Sequence, residues 1–229
     1  MSPAPGGGGG RPADPRIYDQ RCMAEVAARW DAKAPAWDED LRDPACHLNE
    51  DDAYERFLAE ARAKISSQPQ FCAREGVLDA GCGTGLVLAA LGASFAWGVG
   101  IDISPAMVRL AAEKRIPRAR FLVADCFELS RHCPPVAAVF SRGVLISHYG
   151  AGQGELILRE AASALLPGGF VLFDFLNGTA RGRYRHQAEN KTYFSPQEAL
   201  ALAARAGLMR ARVTGGDERR VTLLYAERD

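Results

Sequence analysis

Three aspartates close three successive apolar runs, and carboxylates so placed could receive the polar groups of a nucleoside-like ligand. Asp79 ends the run Val77-Leu78 and, one residue on, meets the turn Gly81-Cys82-Gly83-Thr84-Gly85, which feeds a helix. Glycines there permit positive φ and let a backbone come close to a ligand. The spacing is G-x-G-x-G with Leu86 next, whereas dinucleotide-binding turns read G-x-G-x-x-G and lay a pyrophosphate on the helix amino terminus. An acid beside a pyrophosphate is repulsive; Asp79 instead suits a ligand bearing an ammonium group and no phosphate. Asp102 ends Val99-Gly100-Ile101, where an acid can accept both hydroxyls of a ribose. Asp125 ends Phe121-Leu122-Val123-Ala124, where a carboxylate can accept from the exocyclic amine of an adenine. Any one of these acids equally suits a solvated strand end or a helix cap. Three at successive strand tips beside one glycine turn point to a site.

The elements that must position these groups alternate in type. Strands are predicted at Val77–Ala80, Trp97–Ile101, Arg120–Ala124, Val136–Ser141 and Phe170–Phe175, and helices at Leu86–Leu91, Pro105–Lys114 and Gly154–Leu166. Ser104 caps its helix with Pro105 at the first position. Ser195-Pro196-Gln197-Glu198 is a capping box whose helix closes at Gly207. Leu208–Thr214 and Arg220–Ala226 flank a hairpin signal at Gly215-Gly216-Asp217. The pattern predicts a Rossmann-like α/β fold: a mostly parallel sheet, helices on both faces and a C-terminal antiparallel hairpin. Before Gly76 the periodicity is helical from Tyr18 to Ile65, with Trp30 and Trp37 in its first half. Between its halves lies an acidic connection holding Asp38, Glu39, Asp40, Asp43 and Pro44. Residues 1–15, rich in Gly and Pro, read as a flexible tail, 16–70 as a helical lid segment and 71–229 as the core.

Composition narrows the function. The chain has 229 residues, 28 basic and 28 acidic, so its formal net charge is zero. A polyanion-wrapping protein normally shows a basic excess or stripe, so no nucleic-acid partner is expected. No apolar run is long enough to span a bilayer, and no secretory signal is visible. Six cysteines lack any C-x-x-C spacing and four histidines lack ligand spacing, so reduced thiols, a cytoplasmic location and no metal are expected. Oligomeric state is unreadable.

These residues resemble the class I S-adenosylmethionine-dependent methyltransferases of the small-molecule type. Leu78–Gly85 (LDAGCGTG) matches the first family motif almost letter for letter, Gly100–Ser104 (GIDIS) the ribose loop and Val123–Leu129 (VADCFEL) the adenine loop. Leu165–Phe175 and Tyr193–Leu208 match later motifs, so the resemblance runs over roughly residues 18–226. It implies a seven-stranded sheet and S-adenosylmethionine as cofactor. Asp79, Gly81, Gly83 and Gly85 would frame the methionine end, with Cys82 as a packing residue. Asp102 would hold the ribose, Ile103 an adenine face, and Asp125 and Cys126 the adenine edge. Ser141 and Arg142 would lie near the methionine part and the methyl.

Methyl transfer from a sulfonium needs alignment above all, and a base only when the acceptor must lose a proton. His148, after the fourth strand, is either that catalytic base or a residue capping the next helix or bonding a backbone carbonyl. Trp30 and Trp37 either line the pocket or pack helix to sheet. The arginine-rich loop Gly178–Asn190 suits an anionic acceptor and the acidic stretch Asp38–Asp43 a cationic one, so acceptor charge stays open. The expected function is methyl transfer to an O, N or C atom of a small molecule. The alternatives are a protein or RNA substrate, or a non-catalytic cofactor-binding module. A nicotinamide-dependent oxidoreductase would place a glycine at position 86 and no acid at 79; Leu86 and Asp79 go against both.

Overall fold

Alternating apolar runs and helical stretches assemble, in a computed structural model, into one sheet covered on both faces. The structure describes residues 20–40, 52–183 and 191–229. The tail 1–15, the acidic connection at Asp43 and Pro44, and Arg185 and His186 lie outside the described residues. The strands are β1 (Gly76–Ala80), β2 (Trp97–Asp102), β3 (Ala119–Val123), β4 (Val136–Ser141), β5 (Leu165–Leu176), β6 (Met209–Thr214) and β7 (Val221–Glu227). Their order across the sheet is β3-β2-β1-β4-β5-β7-β6. The first five pair in parallel, and β7 inserts antiparallel between β5 and β6. The hairpin signal is realised with Gly215 and Gly216 at φ +122° and +71°.

The central strands are buried on both sides, so they read as continuous apolar runs rather than alternating ones. Along β4, Val139 faces a layer holding helix α7 (Ala151–Ala164) and helix α8 (Pro196–Arg205). Ala138 and Phe140 face the opposite layer, with helix α3 (Ala53–Ser67) and helix α5 (Leu86–Leu91). Burying a ring such as Phe140, which is fully inaccessible, contributes about 2 kcal/mol. The short helix α4 (Pro69–Arg74) leads from α3 into β1. Helix α6 (Pro105–Glu113) is capped by Ser104, whose hydroxyl accepts from the Met107 N–H at 3.1 Å. Ser195 and Glu198 form the reciprocal capping box that starts α8, and Gly207 follows its end at φ +81°.

Two boundaries differ from expectation. Helix α7 starts at Ala151 rather than Gly154, because Gln153 reaches back to accept from the Gly150 N–H at 3.0 Å. It also ends earlier, since Pro167 disfavours helical backbone just before it, and β5 begins at Leu165. The predicted lid segment also divides. Helix α1 (Gln20–Lys33) and the short helix α2 (Trp37–Asp40) lie near the strand tips, whereas Phe57, Leu58 and Ala61 of α3 belong to the core beneath the sheet.

The chain runs outward through β1, β2 and β3, then returns to place β4 beside β1. That reversal leaves a crevice beyond the carboxyl ends of β1 and β4, the usual place for a ligand in such sheets.

Candidate active site

A cavity of about 1120 Å³, its open mouth included, fills this crevice. Its floor is made of strand tips. Asp79, Gly81, Cys82 and Gly83 come from β1 and its turn, Asp102 and Ile103 from the end of β2, and Cys126 from beyond β3. Asp79 is the unusual member. Its side chain is 1% exposed, and neither carboxylate oxygen has a hydrogen-bond partner. Burial, reinforced by the Asp102 charge, pushes its pKa up to about 8. A buried, partnerless carboxyl is costly unless something pairs with it.

The other predicted floor residues have local duties. Asp102 accepts from the Gly83 N–H and the Ser104 N–H, both at 2.9 Å, one on each oxygen, which leaves lone pairs for a ligand. Asp125 accepts from the Phe127 N–H at 2.7 Å and so caps the turn Cys126–Arg131; the cavity wall there is formed by Ala124 and Cys126. Gly81, Gly83 and Gly85 all have positive φ, at +71°, +52° and +82°. Gly85 precedes α5 and fits against Phe121, where a Cβ would come within 3.0 Å. The Cys82 thiol packs beside Gly100, where a Cβ would lie 2.9 Å from the sulfur; burial pushes its pKa well up and keeps it protonated. Ser141 is buried outside the cavity lining and donates to the Ala80 carbonyl at 2.8 Å, which ties β4 to β1.

The wall beyond β4 is strained. Gly143 and Val144 both have positive φ, at +118° and +56°, a conformation that a β-branched residue rarely adopts. Asp174 of β5, fully buried, holds it by accepting from the Gly143 N–H at 2.9 Å and the Val144 N–H at 2.6 Å. The same carboxylate feels the charge of Arg142, whose guanidinium stands 5.3 Å from the Tyr54 ring centre; both residues line the cavity. Next comes His148. Its Nε2 lies 3.2 Å from the Gly143 carbonyl, and Lys191 Nζ contacts both ring nitrogens, 2.9 Å from Nε2. Nε2–H donating to the carbonyl, with Nδ1 accepting from Lys191, satisfies all three groups. Burial and the Lys191 charge push the imidazole pKa down to about 3.

The roof comes from the amino-terminal helices. Met23, Val26 and Trp30 of α1, together with Trp37, line the cavity. The two tryptophan rings meet edge to face at 5.5 Å, and Trp30 lies 5.2 Å from the His148 ring. Both indoles therefore serve the pocket and the packing at once. Two roof acids fasten it down. Asp31 accepts from the Ser104 hydroxyl and from the Ala106 N–H at 3.0 Å, at the start of α6. Asp38 accepts from the Thr84 hydroxyl in the glycine turn and pairs with Lys114 at 2.6 Å.

Sequence reasoning singled out the floor but missed Arg29, Asp31, Tyr54, Asp174 and Lys191 as site residues. For Asp174 a signal existed: an acid inside the apolar run Phe170–Leu176. The others sit in elements that only folding brings to the cavity.

S-adenosylmethionine carries an ammonium group, a ribose and an adenine. The partnerless Asp79 carboxyl, the residual acceptors of Asp102 and the apolar wall of Ile103, Ala124 and Cys126 fit those parts. Among the described residues no cluster of three or more His, Cys, Asp or Glu side chains could hold a metal, and no helix is long and apolar enough to cross a membrane.

Residues 77–169 match a family model described as a methyltransferase domain. No curated protein sequence matches the chain. Among solved structures, the chain is similar to the magnesium protoporphyrin IX methyltransferase from Synechocystis PCC 6803, with 18% identity and a TM-score of 0.70 over 90% of this chain and 99% of that one. The DhpI complex gives 18% and 0.68 over 90% and 97%. DesVI from Streptomyces venezuelae gives 21% and 0.58 over 78% and 98%. The match to the methyltransferase-domain model covers the motif-bearing segment, and the chain has the class I, S-adenosylmethionine-dependent methyltransferase fold.

Proposed function

We propose that this methyltransferase-domain chain transfers the methyl group of S-adenosylmethionine to a small molecule held between the β4 wall and the roof. The observation that carries the reading is the buried Asp79 carboxyl with no partner of its own, set under the glycine turn. When bound, S-adenosylmethionine supplies a methyl already activated on a sulfonium. Asp79 would receive its ammonium, while Gly81, Cys82, Gly83 and Gly85 shape the turn around its methionine end. Asp102 would hold the ribose and Ile103 an adenine face, with Asp125 and Cys126 at the adenine edge. Arg142 would face the methionine part, and Ser141 would keep β4 in place behind it.

The chain's own contribution is alignment and exclusion of water. Trp30 and Trp37 cover the cavity, and the strained Gly143–Val144 turn fixes the wall opposite. His148 faces the acceptor space as a neutral ring. Held near pKa 3, with one nitrogen on the Gly143 carbonyl and the other beside Lys191, it is poorly matched to removing a proton at neutral pH. Its role is to orient the acceptor. Replacing His148→Ala should leave cofactor affinity unchanged and lower turnover about tenfold, whereas loss of a true base lowers it roughly 10²- to 10⁴-fold.

The similar solved structures include one enzyme whose name states methyl transfer to a porphyrin, which supports a small-molecule acceptor. Calorimetric titration with S-adenosylmethionine, S-adenosylhomocysteine and NAD tests the cofactor. Incubation with labelled S-adenosylmethionine and fractionated metabolites tests the acceptor. Binding of NAD alone would overturn the reading, and cofactor binding without turnover on any fraction would favour a non-catalytic module.

A further inference from the structure

Among the described residues, three cationic side chains gather at the roof end of the cavity. Arg29 lines the cavity from α1, and Lys33 follows four residues later on the same helical face. The Lys33 ammonium stands 4.8 Å from the Trp30 ring centre, and the Lys191 ammonium approaches the same ring at 5.9 Å. Both are therefore gathered around one indole, with His148 against it at 5.2 Å.

None of the three cations has a carboxylate partner among the described residues. The roof acids nearest in sequence are committed elsewhere: Asp31 to Ser104 and Ala106, Asp38 to Thr84 and Lys114. Burial, with the charges of Lys33 and Arg29, pushes Lys191 down to about 7, and the same three cations help to hold His148 neutral. Like charges collected in a half-enclosed place repel one another unless an anion joins them.

We propose that Arg29, Lys33 and Lys191 form a receiving site for an oxyanion on the methyl acceptor, with Trp30 as the plate for its flat or apolar body. The acceptor class is a small molecule carrying a carboxylate or a phosphate-type group on an apolar frame. The inference rests on the methyltransferase reading for the word acceptor, but the anion site itself does not depend on it. It also gives the neutral His148 a consistent place. An acceptor that arrives ionised has no proton to surrender at that group, and the ring need only orient it.

The test uses the full chain and three defined probes: 2-naphthoate, phenyl phosphate and the neutral 2-naphthamide. Each is titrated calorimetrically with and without saturating S-adenosylhomocysteine. At least one anion should bind tenfold or more tightly than the amide. Lys33→Gln combined with Lys191→Gln should remove that preference, and Arg29→Gln alone should reduce it severalfold. S-adenosylhomocysteine affinity in the double variant should stay within twofold of the parent, which shows that the fold and floor are intact. Equal or undetectable binding of all three probes, or a preference that survives the double variant, overturns the proposal. Anion preference in a protein that fails to bind S-adenosylhomocysteine would uphold the anion site and remove the methyltransferase reading. S-adenosylhomocysteine binding without anion preference would do the reverse. The relative affinity of the carboxylate and the phosphate identifies which oxyanion the site takes.

Discussion

The floor and the roof of the cavity are built on opposite principles. The floor is a carboxyl environment: Asp79 is sealed in without a partner, and Asp102 stands next to it on the neighbouring strand. The roof end gathers cations that have no carboxylate partner among the described residues: Lys33 and Lys191 around Trp30, with Arg29 lining the cavity beside them. A zero net charge thus conceals a cleft of two signs, suited to a cationic end of one ligand below and an anionic end of another above. Electrostatic complementarity of this kind fixes orientation and register more than raw affinity.

The largest expected effect comes from breaking the floor. Asp79→Asn should weaken S-adenosylmethionine binding about a hundredfold, the loss of about 3 kcal/mol typical of removing one member of a buried charge pair. The same variant should melt higher than the parent without ligand, because the isolated buried carboxyl is gone. Calorimetry and thermal melting on one preparation check both, and unchanged affinity would remove Asp79 from the site.

A smaller effect is the pH dependence of the same group. With its pKa near 8, Asp79 must lose a proton to pair with a cation. S-adenosylmethionine affinity should therefore rise with pH, by up to about tenfold per unit, and level off above about 8. Titrations in two buffers of different ionisation enthalpy should show proton release at pH 7. In the ligand-free protein the sign is reversed. The unfolded carboxyl ionises near 3.8 and the folded one near 8, so this group lowers stability as pH rises between those values.

The smallest effect belongs to the fastening between the two regions. Asp31→Asn weakens the clasp at the start of α6 and should lower stability by about 1 kcal/mol, read as a small drop in melting temperature. If the roof moves independently of the floor, 2-naphthoate binding should weaken severalfold while S-adenosylhomocysteine affinity holds. A parallel loss of both would show that the two regions act as one.

Much of the floor was legible because it is written in contiguous residues. A strand needs only its own run of apolar side chains, and the turn after it needs glycines at fixed places, so Asp79, Gly81, Gly83 and Asp102 could be placed from local pattern. The helix caps at Ser104 and Ser195 were readable for the same reason, since a cap satisfies backbone groups two or three residues away. Asp125 marks the limit of such reading. Its place at the strand tip was visible, but its bond to the Phe127 N–H was not, because a carboxylate at a tip can turn either way.

The roof was not legible. Helical periodicity announced α1 and α3 alike, and nothing in the period distinguishes a helix that covers a cavity from one that packs under a sheet. Phe57 and Leu58 went to the core, and Trp30 went to the site. Sequence by itself determined the alternating architecture, the glycine turn and the row of acids, all consequences of short-range geometry. Tertiary structure alone decided that Lys191 would reach the Trp30 plate, that Asp174 would hold the Gly143–Val144 turn, and that Asp79 would be left without a partner. Those outcomes depend on which distant segments meet when the sheet closes its order, and on how much water that closure removes from each charge.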